Sequence, residues 1–177
     1  MSELILRNRQ RARPVNLPLL RRVARLLLTE LFALENYELS VHLVAALDMA
    51  RLNRKFLNHR GSTDVLTFDY SDKVGQAPCL SSKMSVKPQD RKVACPPLRG
   101  EVFICLDDAI AQARQFRTTW QSELVRYLVH GALHLRGYDD LRPDLRRAMK
   151  REEDRLVREL ARLFPLSKLA RKPTVRP

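Results

Sequence analysis

The stretch His130-Gly131-Ala132-Leu133-His134-Leu135-Arg136-Gly137-Tyr138-Asp139-Asp140 sets two imidazoles four residues apart and a carboxylate six residues beyond the second. On a helix, positions i and i+4 lie one above the other on the same face, so both rings can reach a single ion. Gly137 fits the position just past the helix end, where a left-handed backbone costs glycine nothing. The reversal it permits would swing Asp140 back toward the histidines. Neutral imidazole and carboxylate suit Zn²⁺, and three protein ligands leave a fourth position for water, as in catalytic rather than structural sites. The stretch therefore predicts one zinc per chain on His130, His134 and Asp140, with Asp139 as the reserve carboxylate.

The surroundings sharpen that reading. Leu124, Val125, Leu128, Val129, Ala132, Leu133 and Leu135 make this the most apolar helix of the chain, where an unpaired imidazole would be costly to bury. Zinc peptidases carry His-Glu-x-x-His, with the glutamate as general base, but here Gly131 stands in that place. Peptidase chemistry is disfavoured.

Working outward, Thr119 is positioned to cap the metal helix, with Ser122 and Glu123 in its first turn. Leu4 to Arg7 reads as a short strand, and Asn16 begins a helix with a wide apolar stripe from Leu19 to Phe32. Ser40 to Leu47 reads as a strand, with His42 a strand-surface or core histidine rather than part of the site. Asp48 is expected to cap a helix to about Leu57. Thr63 to Phe68 and Glu101 to Leu106 read as inner strands, and Asp107 or Asp108 opens a helix to about Phe116. A final helix from Leu141 to about Leu163 places Leu145, Met149, Leu156 and Leu160 on one side, and its charges read as a solvated face.

Strands and helices mixed without a strict βαβ rhythm predict an α+β fold. The expected architecture is a mixed four-stranded sheet packed with about five helices, with the metal site at the end of a central helix. Residues 1–165 read as a single domain, interrupted by a long mobile surface loop over 71–99 and followed by a basic tail over 166–177.

The formal net charge of +13 favours polyanionic partners, because Lys and Arg contacts to phosphate release condensed counterions. The basic residues are spread along the chain and aromatics make up 6%, so backbone and shape recognition is expected rather than a base-stacking platform. The three cysteines, Cys79, Cys95 and Cys105, form no Cys-x-x-Cys pair and indicate a reducing compartment. Met1 to Pro14 lacks the apolar core of a secretory signal, and no run is long enough to span a membrane. A cytoplasmic protein without a membrane partner is expected, its oligomeric state left open.

The segment at His130 resembles the YbeY family of metal-dependent endoribonucleases, whose signature is approximately His-Gly-x-x-His-x-x-Gly-Tyr-Asp-His. Three further blocks agree in the family's order: Asn53 through Phe56 with Thr63-Asp64-Val65-Leu66-Thr67-Phe68, then Gly100-Glu101-Val102-Phe103-Ile104, then Ala109 through Ala113. The chain departs from the family twice. Asp140 stands where the third ligand is usually histidine, and Leu57 stands where many members carry an arginine suited to an RNA phosphate. Arg60, Arg54 and His59 are the candidates to replace it, with Arg60 and Arg54 offered for neutralising charge on the phosphorane.

The resemblance implies a single-strand-specific, zinc-dependent endoribonuclease acting in 16S rRNA 3′-end maturation and ribosome quality control, with single-stranded RNA and the small ribosomal subunit as partners. The mechanism expected is metal-assisted phosphodiester cleavage, by water or by the substrate's own 2′-hydroxyl. The alternative is a catalytically weak or inactive rRNA-binding ribosome-assembly factor, which Leu57 favours.

Overall fold

The computed structural model describes residues 2–58, 60–71 and 97–171. Most of the expected loop, His59 and the last six residues lie outside them. The described residues form strands β1 (Ser2–Asn8), β2 (Tyr37–Val44), β3 (Val65–Asp69) and β4 (Leu98–Cys105). The helices are α1 (Leu17–Leu26), α2 (Ala46–Leu57), α3 (Leu106–Gln115), α4 (Trp120–Leu135) and α5 (Pro143–Leu163). This is the expected α+β fold with a mixed four-stranded sheet.

The sheet order is β1-β2-β4-β3, with β1, β2 and β4 parallel and β3 antiparallel to β4. The expectation that β3 is an inner strand is corrected, since β3 forms one edge and β2 and β4 are central. The reason lies in burial: β2 and β4 are buried along most of their length, whereas β3 is five residues long and mostly half-buried.

Alternation divides the sheet into two faces. Leu39, Val41, Leu43, Val102 and Ile104 join α1, α4 and α5 in the main core. Val44, Leu66, Cys105 and Phe103 face the other way and meet α2 through Met49 and Leu52. α4 runs across the first face with ten of its sixteen residues buried. Leu124, Leu128 and Leu133 are fully buried, and each such side chain is worth about 1.5–3 kcal/mol.

Two glycines set how closely α4 approaches. A Cβ at Gly131 would lie 2.6 Å from Val102 Cγ1 and 3.2 Å from Val65 Cγ1, and one at Gly100 would lie 2.8 Å from Leu135 Cδ2. The helix can rest on β3 and β4 only because these positions have no side chain.

Several boundaries differ from expectation. The helix expected from Asn16 is present, with the Asn16 side chain capping it by accepting from the Leu19 amide, but it widens into a π turn over Leu27–Leu31. β2 starts at Tyr37 and ends at Val44, so Ala46 opens α2 instead of prolonging the strand. Asp48 does not cap α2. Asp107 Oδ2 accepts from the Ala46 amide at 2.7 Å, while Asp48 pairs with Arg51 inside the helix. β4 begins at Leu98, inside the loop expected over 71–99. The chain read as a tail from 166 first forms a 3-10 turn, Leu166–Leu169, in which Leu169 is buried, and Ala170 bridges to Val15.

Candidate metal centre

α4 is held at its start by Thr119, whose hydroxyl accepts from the Ser122 amide, as the sequence indicates. It ends in a Schellman turn. Gly137 has φ +87, the Tyr138 amide donates to Leu133 O at 3.1 Å, and the Gly137 amide donates to His134 O at 2.9 Å. This turn reverses the chain so that Asp140 meets the last helical turns. Ligand atoms of His130, His134 and Asp140, all half-buried, lie within 4.8 Å of one another.

The partners of each ring decide where its proton sits. His130 donates from Nδ1 to Glu153 Oε2 at 2.9 Å, and His134 donates from Nδ1 to the Tyr138 carbonyl at 3.1 Å. Both acceptors lack a proton to give, so each neutral ring carries its hydrogen on Nδ1 and a bare lone pair on Nε2. The two Nε2 atoms stand 3.1 Å apart. At that spacing a proton or an electron-pair acceptor can bridge them. Tetrahedral Zn²⁺ with Zn–N of about 2.0–2.1 Å sets two ligand nitrogens roughly 3.3 Å apart, so the donor set fits a metal.

Electrostatics favour the same state. Burial, reinforced by neighbouring His130, holds His134 below the ordinary imidazole range against the pull of Asp140. Burial alone would raise Glu153, but hydrogen bonds from His130, Lys150 and Arg126 bring it down to about 2. A neutral His134 offers a lone pair, and an ionised Glu153 accepts without giving a proton.

The metal-ligand grouping itself comprises His130, His134 and Asp140. Asp139 does not join the cluster, because its Oδ1 accepts from the Leu141 amide at 3.0 Å and stabilises the turn. Arg54 and Arg60 are exposed, and α2, which carries Arg54, covers the sheet face opposite α4. Leu57 is 56% exposed at the end of the same helix. His42 is a core histidine, stacked on Phe103 with ring centroids 4.3 Å apart and 4% exposed.

Sequence reading missed Glu153. It is 5% exposed, and reading all charges of α5 as a solvated face is wrong at this position. The signal was present: Met149, Glu153, Leu156 and Leu160 follow one helical stripe, and a carboxylate within an apolar stripe requires a buried partner.

The site thus sits in an α+β domain whose central helix ends in two histidines and a carboxylate that could hold a metal ion. The chain belongs to the endoribonuclease YbeY family, whose model matches residues 6–161. Among its relatives is the Endoribonuclease YbeY of Chlorobaculum parvum, 39% identical over 104 residues, covering 59% of this chain and 58% of the relative. That of Anaeromyxobacter is 39% identical over 121 residues, covering 68% of this chain and 53% of the relative. That of Elusimicrobium minutum is 32% identical over 126 residues, covering 71% of this chain and 76% of the relative. The match thus spans less than two thirds of the first two relatives. The fold is shared with a solution structure from Thermotoga maritima at a TM-score of 0.60 and 21% identity, covering 99% of this chain and 100% of that one.

Proposed function

We propose that this protein is a zinc-dependent endoribonuclease that cleaves single-stranded RNA, acting in maturation of the 16S rRNA 3′ end and in ribosome quality control in the cytoplasm. The observation that carries the reading is the pair of facing Nε2 atoms 3.1 Å apart beside Asp140. The named relatives are endoribonucleases, and the net charge of +13 suits an RNA substrate and a ribosomal partner. No described helix is long and apolar enough to cross a membrane.

His130, His134 and Asp140 would hold the zinc, which when bound supplies Lewis acidity to a phosphoryl oxygen and lowers the pKa of water. The chain's own residues prepare the site. Glu153 and the Tyr138 carbonyl keep both ring protons on Nδ1, and the Arg146 side chain donates to Asp140 O at 2.9 Å, anchoring the backbone of the third donor. Gly131 excludes a helix-borne general base, since even a Cβ there meets Val102. Arg60 and Arg54 remain the candidates for phosphate contacts: both are exposed, and Arg54 would meet RNA that passes round the sheet to the face carrying α2.

The test is cleavage of a defined single-stranded RNA by the zinc-loaded chain, compared with the chelated protein and His134→Ala. Cleavage confined to the loaded native chain supports the enzyme, and a 2′,3′-cyclic phosphate end identifies the substrate hydroxyl as nucleophile. RNA binding without cleavage supports the second reading, an rRNA-binding ribosome-assembly factor. Leu57 favours that reading, because it brings an exposed apolar side chain where a phosphate contact is expected.

A further inference from the structure

We propose that Glu153 is a positioning residue that fixes the tautomer and aim of His130, and so sets how tightly the site holds its metal. The inference rests on reading His130 and His134 as metal ligands, and it assigns a role to a residue on a different helix from both.

The two oxygens of Glu153 have separate tasks. Oε1 receives Arg126 Nη1 at 2.6 Å and Lys150 Nζ at 2.9 Å, while Oε2 is left to His130 Nδ1 at 2.9 Å. Two cations occupy one oxygen, which leaves the other to accept from the ring. Arg126 lies one helical turn before His130 on α4 and also grips Asp154 at 2.6 Å, so the α4–α5 packing and the ring orientation are set by the same contacts. A free imidazole can place its proton on either nitrogen, and a proton on Nε2 would block the lone pair that faces His134. Its neighbours Met149, Leu156 and Val157 are apolar, so the polar partners of the buried carboxylate are Arg126, Lys150 and His130. A carboxylate, buried and turned to Nδ1, has the role that second partners of metal-binding histidines perform, where their loss typically weakens binding about 10–100-fold.

The experiment uses the full chain with three variants. Glu153→Leu removes the acceptor, Glu153→Gln keeps an acceptor oxygen, and Arg126→Met with Glu153→Leu avoids stranding the arginine should the single variant fail to fold. Nitrogen NMR of the metal-free protein reads the His130 tautomer, and competition with a chromophoric chelator reads zinc affinity. The expected result is Nδ1-protonated His130 in the native chain and the glutamine variant, with zinc affinity in the latter largely retained. In the leucine variants a Nε2-protonated population appears and zinc affinity falls about 10–100-fold. A folded leucine variant with His130 still protonated on Nδ1 and affinity within about twofold of native overturns the proposal. A native chain that takes up no zinc, while the leucine variants still shift the tautomer, overturns the metal reading and leaves the hold of Glu153 on His130 standing.

Discussion

Replacing Gly131 by alanine tests whether the metal helix rests on the sheet as tightly as the structure shows. Helix propensity alone favours the change, since alanine is better than glycine in a helix interior by about 1 kcal/mol. Packing opposes it. The new methyl would lie 2.6 Å from Val102 Cγ1, 3.2 Å from Val102 Cγ2 and 3.2 Å from Val65 Cγ1. Val102 is fully buried and β-branched, so it cannot rotate aside cheaply, and overpacking of this kind costs about 1–3 kcal/mol. With the contact this close the upper part of that range applies, leaving a net loss of about 1–2 kcal/mol. In a chain of 177 residues that corresponds to a Tm lower by roughly 2–8 °C. Urea unfolding followed by circular dichroism measures the change. In a Val102→Ala background the Gly131→Ala change should cost less, a coupling of about 0.5–3 kcal/mol between touching residues. A stabilised Gly131→Ala, by the amount propensity alone predicts, would refute the close approach.

Two further outcomes follow from buried groups away from the cluster. Burial, with Arg7 and Arg9 adding to it and Glu101 opposing, holds His42 below its ordinary value. In the window just below pH 6.5 the unfolded chain then binds a proton on His42 that the folded chain does not, so stability falls as the pH drops through it. Urea unfolding at several pH values should show this slope reduced in His42→Phe, and an unchanged slope would mean His42 does not contribute to it. Burial pushes the Cys105 thiol up to about 12, so iodoacetamide at pH 8 should leave it unlabelled in the native chain and label it after unfolding, as read by peptide mass spectrometry. Native labelling at the rate of a free thiol would contradict its place under α2.

The parts of the fold that the sequence shows are those written in local rules. The Thr119 cap, the Gly137 turn and the i, i+4 histidines are contacts within a few residues, and all appear as expected. What it conceals depends on distant partners. The amide at the start of α2 is met by Asp107 from 61 residues away, which a nearby acid such as Asp48 obscures. β3 has the composition of an inner strand, but its edge position follows from sheet order, which no local pattern encodes. Asp140 and Asp139 are adjacent carboxylates, and only the turn geometry gives one to the cluster and the other to the Leu141 amide. Glu153 was hidden among the many charges of α5, because charge on a helix is exposed by default and the exception shows only in the stripe it interrupts.

Metal content of the tag-free native chain by mass spectrometry, set beside His134→Ala and Asp140→Ala, addresses the central claim most directly. The account predicts near-stoichiometric zinc, one ion per native chain, falling in both variants while each remains folded. A native chain that binds no zinc when zinc is supplied, or variants that retain it in full, would contradict the assignment of His130, His134 and Asp140 as one metal centre.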